Sequence, residues 1–322
     1  MSETRQADIP WRLNLTLAGL LAGANLFLLF LLPGLAADDA RWGWALVPLV
    51  LTTPALWSLI HEAIHGVLHP DPRANDALGR LLAVLFGSPF RLLRLGHLMH
   101  HRFNRTDLDR TEVVADGAAT GGRARLVYYL RLLGGLYLAE AAASAAVLLP
   151  RPLVARAVAA AFGNEGADGR SMRRAADRHL LEPGALRDLR LDGLTTCLLY
   201  AAAFALWGPL WWMLAAAMLG RAFLISFFDN AYHYGTPLDD VLYSHNLRLP
   251  APLAAAMLNF NLHAVHHRQP ALPWTALGPA FRDSEGGYEG GFLVVALRQL
   301  RGPLAASRLP RAALKAAGSE LN

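Results

Sequence analysis

The sequence predicts an all-α integral membrane protein, with two transmembrane helical hairpins (four spans) under a cytoplasmic helical cap. Three observations carry this. Of the 322 residues, 54% are hydrophobic, above the roughly 45–50%, glycine included, of soluble domains. Four runs with one charge or none approach the length that crosses a hydrocarbon core. Eight of the twelve histidines fall in three clusters, His61-Glu-Ala-Ile-His65, His97-Leu-Met-His100-His101 and His263-Ala-Val-His266-His267, outside or at the ends of those runs.

In chain order, Leu13 to Leu32 is the first uncharged run. It is too long for a signal-peptide core and no small-x-small cleavage site follows, so it is expected to stay as an anchor over about 13–32. Trp42 to Leu59 leads straight into the first histidine cluster and predicts a span over about 43–67. Leu78 to Leu95 is amphipathic and is expected to lie along the membrane surface, delivering the second cluster. Leu126 to Leu149 is apolar but interrupted by Arg131 and Glu140. Leu194 to Trp207 and Leu210 to Phe228 are separated only by Gly208-Pro209 and predict spans over about 191–207 and 209–231, the last containing one charge, Arg221. The tail, 301–322, is weakly amphipathic. Neither an internal repeat nor a low-complexity segment divides the chain, which reads as a single membrane-embedded domain, 1–322.

Charge sets the orientation. Basic residues concentrate before the first run, between the second and third, and after the fourth. The positive-inside rule then places both termini and all three clusters on the cytoplasmic side, in a bacterial cell at the inner membrane. The stretch 126–149 decides this. If it crossed, the second and third clusters would lie on opposite faces, and the segment Arg151 to Arg190, with eight arginines, would be exported. It is therefore expected to be interfacial or re-entrant, bent near Gly134-Gly135, with Arg131 snorkelling. The net charge of +5 follows from these flanking arginines, and with no nucleic-acid-binding motif present no nucleic-acid partner is expected. The lone Cys197 excludes an internal disulfide and any Cys-x-x-Cys centre.

Helical spacings of three and four residues put the side chains of each cluster on one face. Neutral imidazole is the commonest protein ligand for iron and zinc. Eight clustered imidazoles exceed what one tetrahedral zinc can use, so the count points to two metal ions, a pair of irons. His233 emerges at the end of the fourth run, after Asp229 and Asn230. It is either a further ligand, with Asp229 or Asn230 holding a metal-bound water or orienting an imidazole, or a helix-end histidine facing the dipole. His69, His179 and His245 lack partners at metal spacing and read as structural or exposed. Asp107-Leu-Asp109-Arg110-Thr-Glu112 either lines the metal cap or, the preferred reading, forms a solvated charged turn, and neither these carboxylates nor Glu62 is given a catalytic role. Arg91, Arg94, Arg102 and Arg105 either dock an acidic donor or lipid headgroup or serve the positive-inside bias.

These motifs resemble the membrane fatty acid desaturase superfamily, whose members carry HxxxH, HxxHH and HxxHH in this order. The resemblance covers roughly Leu13 to Trp274. The first box continues as His65-Gly66, and the third as His267-Arg268-Gln269-Pro270-Ala271-Leu272-Pro273-Trp274, similar to the Pro/Trp-rich sequence of many bacterial members. The resemblance implies a non-haem centre of two iron ions held by His61, His65, His97, His100, His101, His263, His266 and His267, with His233 as ninth ligand. In the animal acyl-desaturases an Asn four residues before that histidine reaches iron through water. Here Asp229 takes that place and Asn230 is displaced by one. The implied activity is O2-dependent oxidation of a lipid or fatty acyl chain, most directly desaturation. Hydroxylases, carotenoid ketolases and terminal-alkene-forming decarboxylases share the boxes, and His233-Tyr234-Gly235 is similar to the His-Tyr-Gly of membrane alkane hydroxylases. Electrons are implied to come from a separate ferredoxin, rubredoxin or cytochrome with its reductase.

Two other classes start from the same residues. His61-Glu62-Ala-Ile-His65 is also HExxH, the zinc-protease motif, and Leu191-Asp192-Gly193 offers the Asp-Gly of intramembrane zinc proteases. That alternative leaves the second and third clusters unused. A metal carrier would be expected to place polar groups at mid-membrane within repeats, which this chain does not do.

Overall fold

The computed structural model describes residues 8–118, 121–163, 166–284 and 286–311. Helix α1 (Trp11–Leu26) runs through a π turn, Phe27–Leu31, into α2 (Leu32–Asp38). Pro33 sits in the first turn of α2, where its missing N–H costs no helical bond. A 3-10 turn, Ala40–Ala45, reverses the chain, and α3 (Leu46–Leu51) and α4 (Thr53–Ile64) carry it back. The pairing is antiparallel: Ala18 packs among Leu56 to Ile64, and Leu28 and Leu32 pack with Leu46 and Leu49. Trp11–Asp38 and Ala40–Ile64 are each long and apolar enough to cross a membrane, as is the run Pro183–Tyr232.

That third run is folded back on itself. α11 (Pro183–Trp207) and α12 (Trp211–Asp229) meet at Gly208, whose φ of 47° breaks the helix. Arg221 donates to the Tyr200 hydroxyl at 3.1 Å, although a straight helix would hold these residues about 31 Å apart.

Between the hairpins, α5 (Pro72–Phe86) and α6 (Phe90–Phe103) meet at 98°. Gly87, at φ 109°, ends α5 in the left-handed conformation that glycine adopts without strain. The amphipathic stretch Leu78 to Leu95 is divided between these two helices, and residues 82–90 are all buried. Such a break leaves the last carbonyls of α5 without helical partners in an apolar interior, where each must find a donor. Tyr200 at 2.6 Å and Arg221 at 3.3 Å donate to the Leu85 carbonyl, Tyr137 to that of Phe86, and Ser144 at 3.0 Å to that of Gly87. This is what the single charge of the fourth run does.

α7 (Gly122–Leu130) and α8 (Leu136–Ala146) are joined by a π turn, Arg131–Gly135, kinked at Gly134 with φ 143°. The bend thus falls where the glycine pair predicted it. α8 packs closely on α11 at Gly193, where a Cβ would lie 2.5 Å from the Ser144 carbonyl oxygen. α9 (Arg151–Phe162), α10 (Gly166–Ala176) and the π turn Asp177–Leu181 pack Val154, Val158, Ala176 and Leu180 with Leu95 of α6 and Leu186 and Leu189 of α11.

After α12 come α13 (Ala251–Ala256), α14 (His263–Arg268), α15 (Trp274–Asp283) and α16 (Phe292–Arg298). The described residues are mostly helical, with four two-residue strands. β1 (Val113–Val114) pairs in parallel with β4 (Leu304–Ala305), and β2 (Leu247–Arg248) with β3 (Gly290–Gly291). The start of the tail therefore closes over the loop that follows the second histidine cluster. Residues 312–322 lie outside the described residues.

Candidate metal centre

Each histidine cluster arrives on its own element. His61 comes from α4 and His65 from its C-terminal end, His97, His100 and His101 from α6, and His263, His266 and His267 from α14. His233 follows the 3-10 turn that ends α12. Backbone anchors hold these elements together. Asn75 donates to the Ala63 carbonyl beside the first cluster and accepts from Leu68 N. Asn246 Oδ1 accepts from Ala264 N and Val265 N, satisfying the first turn of α14. The Glu62 carboxylate accepts from Trp274 N at 3.0 Å, at the start of α15.

The nine imidazoles converge as two groups whose ligand atoms each lie within 4.8 Å of one another: His61, His65, His97, His101 and His266, and His100, His233, His263 and His267. In the first group Nε2 faces Nε2 at 3.0 Å between His61 and His266, 2.9 Å between His65 and His97, 3.0 Å between His97 and His101, and 2.9 Å between His101 and His266. In the second, His100 Nε2 lies 3.1 Å from that of His233 and 3.3 Å from that of His267. Ligands about 2.1 Å from a common ion at right angles would sit about 3.0 Å apart, so the spacing fits nitrogens aimed at one ion per group. Five nitrogens exceed a tetrahedral set, which suits iron better than structural zinc. His101 and His267 stack at 4.3 Å across the boundary between the groups.

The electrostatics suit ligation. Burial pushes His97, His233, His263, His266 and His267 well below the ordinary imidazole range, and His101 to about 2, with the neighbouring imidazoles adding to the shift. The neutral ring is the form that binds metal. His100 departs from this pattern. Burial pushes it down too, but the Asp109 carboxylate, by charge and by a 2.5 Å contact to Nδ1, more than reverses the effect. A carboxylate behind a ligand histidine fixes its tautomer and raises its basicity.

Of the two readings of Asp107 to Glu112, the solvated turn is corrected at this point in favour of a segment that lines the histidine site. Asp109 backs His100, and Glu112 forms an ion pair with Arg105 in which both side chains are 1% exposed. Arg105 also donates to the carbonyls of Thr236 and Pro237 from a backbone at φ 65°. Two more members of the arginine cluster form ion pairs within the chain, in partly exposed positions: Arg91 with Asp188 and Arg94 with Asp76. Asn230 is turned to Gln299 at 2.8 Å and Thr111 at 3.2 Å, and Asp229 opens on a cavity beside the histidines. Arg131 lines that cavity as well. His69, His179 and His245 stand outside both groups.

The cavity has a volume of about 500 Å³ and is bordered by His97, His100, His233 and His263. Its far wall comes from small and branched residues of α8 and α9, among them Ala139, Ala143, Ala146, Val154 and Val158. The sequence alone did not single out this wall. Its signal is the three- and four-residue spacing of small side chains along α8, which lines up on one helical face.

A helical chain with several membrane-length helices and two buried imidazole groups defines a membrane metalloprotein. The fatty acid desaturase family model matches residues 40–295, and the chain belongs to that family. Membership makes it an oxidoreductase of a family that acts on lipid acyl chains, is typically iron-dependent and generally draws on electron donors. No curated protein and no solved structure matches it.

Proposed function

We propose that this chain is an O2-dependent oxidase of lipid acyl chains, with fatty acid desaturation as its reaction. The observation that carries the proposal is the grouping of nine imidazoles, five and four, along one cavity with an apolar wall. His61, His65, His97, His101 and His266 would hold one iron, and His100, His233, His263 and His267 the other. Bound iron would supply the O2 reduction and C–H oxidation that side chains cannot perform. The chain's own residues do the rest. Asp109 orients His100, the α8 and α9 wall takes the hydrocarbon and excludes water, and Glu62 and Asn246 fix the backbones that present the clusters.

The proposed topology has four crossings as two hairpins, with the termini and the metal centre on the cytoplasmic side of a bacterial inner membrane. The sharing of each imidazole group between α6 and α14 supports it, because it requires the second and third clusters to be on one side, with 126–149 interfacial or re-entrant. Electrons would come from a separate ferredoxin, rubredoxin or cytochrome through its reductase, in keeping with the single cysteine. The zinc-protease alternative is disfavoured because the Glu62 carboxylate is engaged by Trp274 and Asp192 by Arg80 at 2.7 Å. Hydroxylation is the second reading, favoured by His233-Tyr234-Gly235. Ketolation and terminal-alkene-forming decarboxylation would use the same centre.

Metal analysis with mass spectrometry of lipids and volatiles, after expression with a matched electron donor, tests this. Two irons per chain and new double bonds are expected. One zinc per chain, or products identical to those of a His266→Ala control, would refute it.

A further inference from the structure

The cavity is not uniform. Leu92, Val147, Val154, Val158, Phe162 and Leu180 line it and belong to one apolar cluster. Its charged lining is gathered at the histidines. Asp109 contacts His100, Thr111 bonds Asn230, and Asp229 precedes Asn230. Arg131, itself exposed, lines this section, makes no side-chain hydrogen bond or salt bridge among the described residues, and acts by charge on Glu140 and Asp229. Glu140, on the same wall, has a buried Oε2 that accepts no hydrogen bond among them. A buried carboxyl oxygen with no hydrogen-bond partner, beside a guanidinium whose N–H groups are free of side-chain hydrogen bonds among the described residues, suits an oxygen-bearing ligand.

A fatty chain with one oxygenated end has a single favourable orientation in such a cavity. Its hydrocarbon belongs on the apolar wall and its oxygens beside Arg131 and Glu140, and that polar section is the one that touches the histidines. The metal centre also lies close under the polar surface: Asp109, the residue behind His100, is itself 24% exposed. Little length is available for carbon chain between the polar section and the metals.

Resting on the oxidase reading, we propose that the substrate is a fatty acid bound with its carboxyl end at the metal centre, held by Arg131 and Glu140, so that oxidation falls on the second or third carbon. The substrate carboxylate and the Glu140 carboxyl share one proton, and Arg131 forks the remaining oxygens. One C–H bond breaks at the second or third carbon for a hydroxyl, and one at each of them for a double bond. Where the carboxyl carbon is lost, a C–H bond at the third carbon and the C1–C2 bond break, the carboxyl proton is released, and CO2 leaves as a terminal double bond forms. The chain gives up two electrons, and the separate ferredoxin- or rubredoxin-type donor gives two. With two protons from solvent, O2 leaves as two waters when a double bond forms, with or without loss of CO2, or as one water and the new hydroxyl oxygen.

The test uses the full-length, iron-loaded protein in phospholipid nanodiscs with a ferredoxin and its reductase. Dodecanoic acid, its methyl ester and dodecane are supplied in turn, then hexadecanoic acid. The expected products of both acids carry the change at the second or third carbon, or have lost the carboxyl carbon. Arg131→Gln is expected to raise KM for the acid about tenfold or more, with a smaller change in kcat and none in KM for the ester. Arg131→Lys should recover part of the loss, and Glu140→Ala should act in the same direction as Arg131→Gln. Iron content, measured for each variant, reports an intact centre. A mid-chain product, a position counted from the methyl end, or equal effects of Arg131→Gln on acid and ester would overturn the placement while leaving the oxidase reading standing. Absence of any oxidised product with two irons bound would overturn the oxidase reading itself.

Discussion

Asp109 Oδ2 lies 2.5 Å from His100 Nδ1, on the side of the ring away from the Nε2 that faces His233 and His267. One carboxylate thus steers a histidine that three other imidazoles surround. Asp109→Ala is expected to lower iron affinity in the four-histidine group by about 10- to 100-fold, with Asp109→Asn milder because it keeps a polar partner. Iron titration of the purified variants checks this, and unchanged affinity in both would count against the role given to Asp109.

The two groups make a pairing prediction. His266 and His267 are neighbours in the chain but fall in different groups. His266→Ala should resemble His101→Ala in its iron spectroscopy, and His267→Ala should resemble His263→Ala. Mössbauer spectra sorted by sequence proximity instead of by group would contradict the assignment.

Tyr137 buries its hydroxyl against the Phe86 carbonyl, one of the carbonyls left free where α5 stops. Tyr137→Phe keeps the ring and strands that carbonyl, at a cost of about 1–3 kcal/mol. A fall in melting temperature in detergent, with iron content per folded chain preserved, is the expected result.

Ala143 stands on the cavity wall between Ala139 and Ala146. Ala143→Leu adds three heavy atoms to that space and should shift preference towards shorter chains. Competition between fatty acids of graded length reads the shift directly, and a uniform loss across all lengths would point to a folding defect.

Acid should act most on the iron-free protein. Burial holds His97, His101, His263 and His266 below the free imidazole value of 6.5. Between those values the unfolded chain binds more protons than the folded one. The associated stability is present above pH 6.5 and is lost as pH falls, at up to about 1.4 kcal/mol per pH unit for each ring. His100, raised by Asp109, runs the other way, and its contribution fades as pH climbs through its folded value. Thermal melts with and without iron are expected to diverge below pH 6.5, with the iron-loaded protein holding to lower pH.

Much of this was legible in the chain. Three- and four-residue histidine spacing is a local property, so the clusters and their helices could be read directly. Partnership across the fold could not be read. The sequence alone did not pair His61 with His266 or His65 with His97, because those contacts depend on where separate helices dock. Asp107 to Glu112 misled for a related reason. A charged run reads as solvated until its partners are known, and Arg105 and His100 supply them from inside. The amphipathic pattern of Leu78 to Leu95 runs across the turn at Gly87 and Pro89, so the pattern alone does not show the break. What keeps that break buried is donors on α8, α11 and α12.

His100 and His101 are joined by one peptide bond, yet each serves a different group. The separation of two ions bound there would therefore be clamped across a single link of α6, with no hinge between them. Squeezing or tilting of the spans by the bilayer would carry both ions together, and thermal breathing between the hairpins would change the width of the cavity far sooner than the distance between the metals.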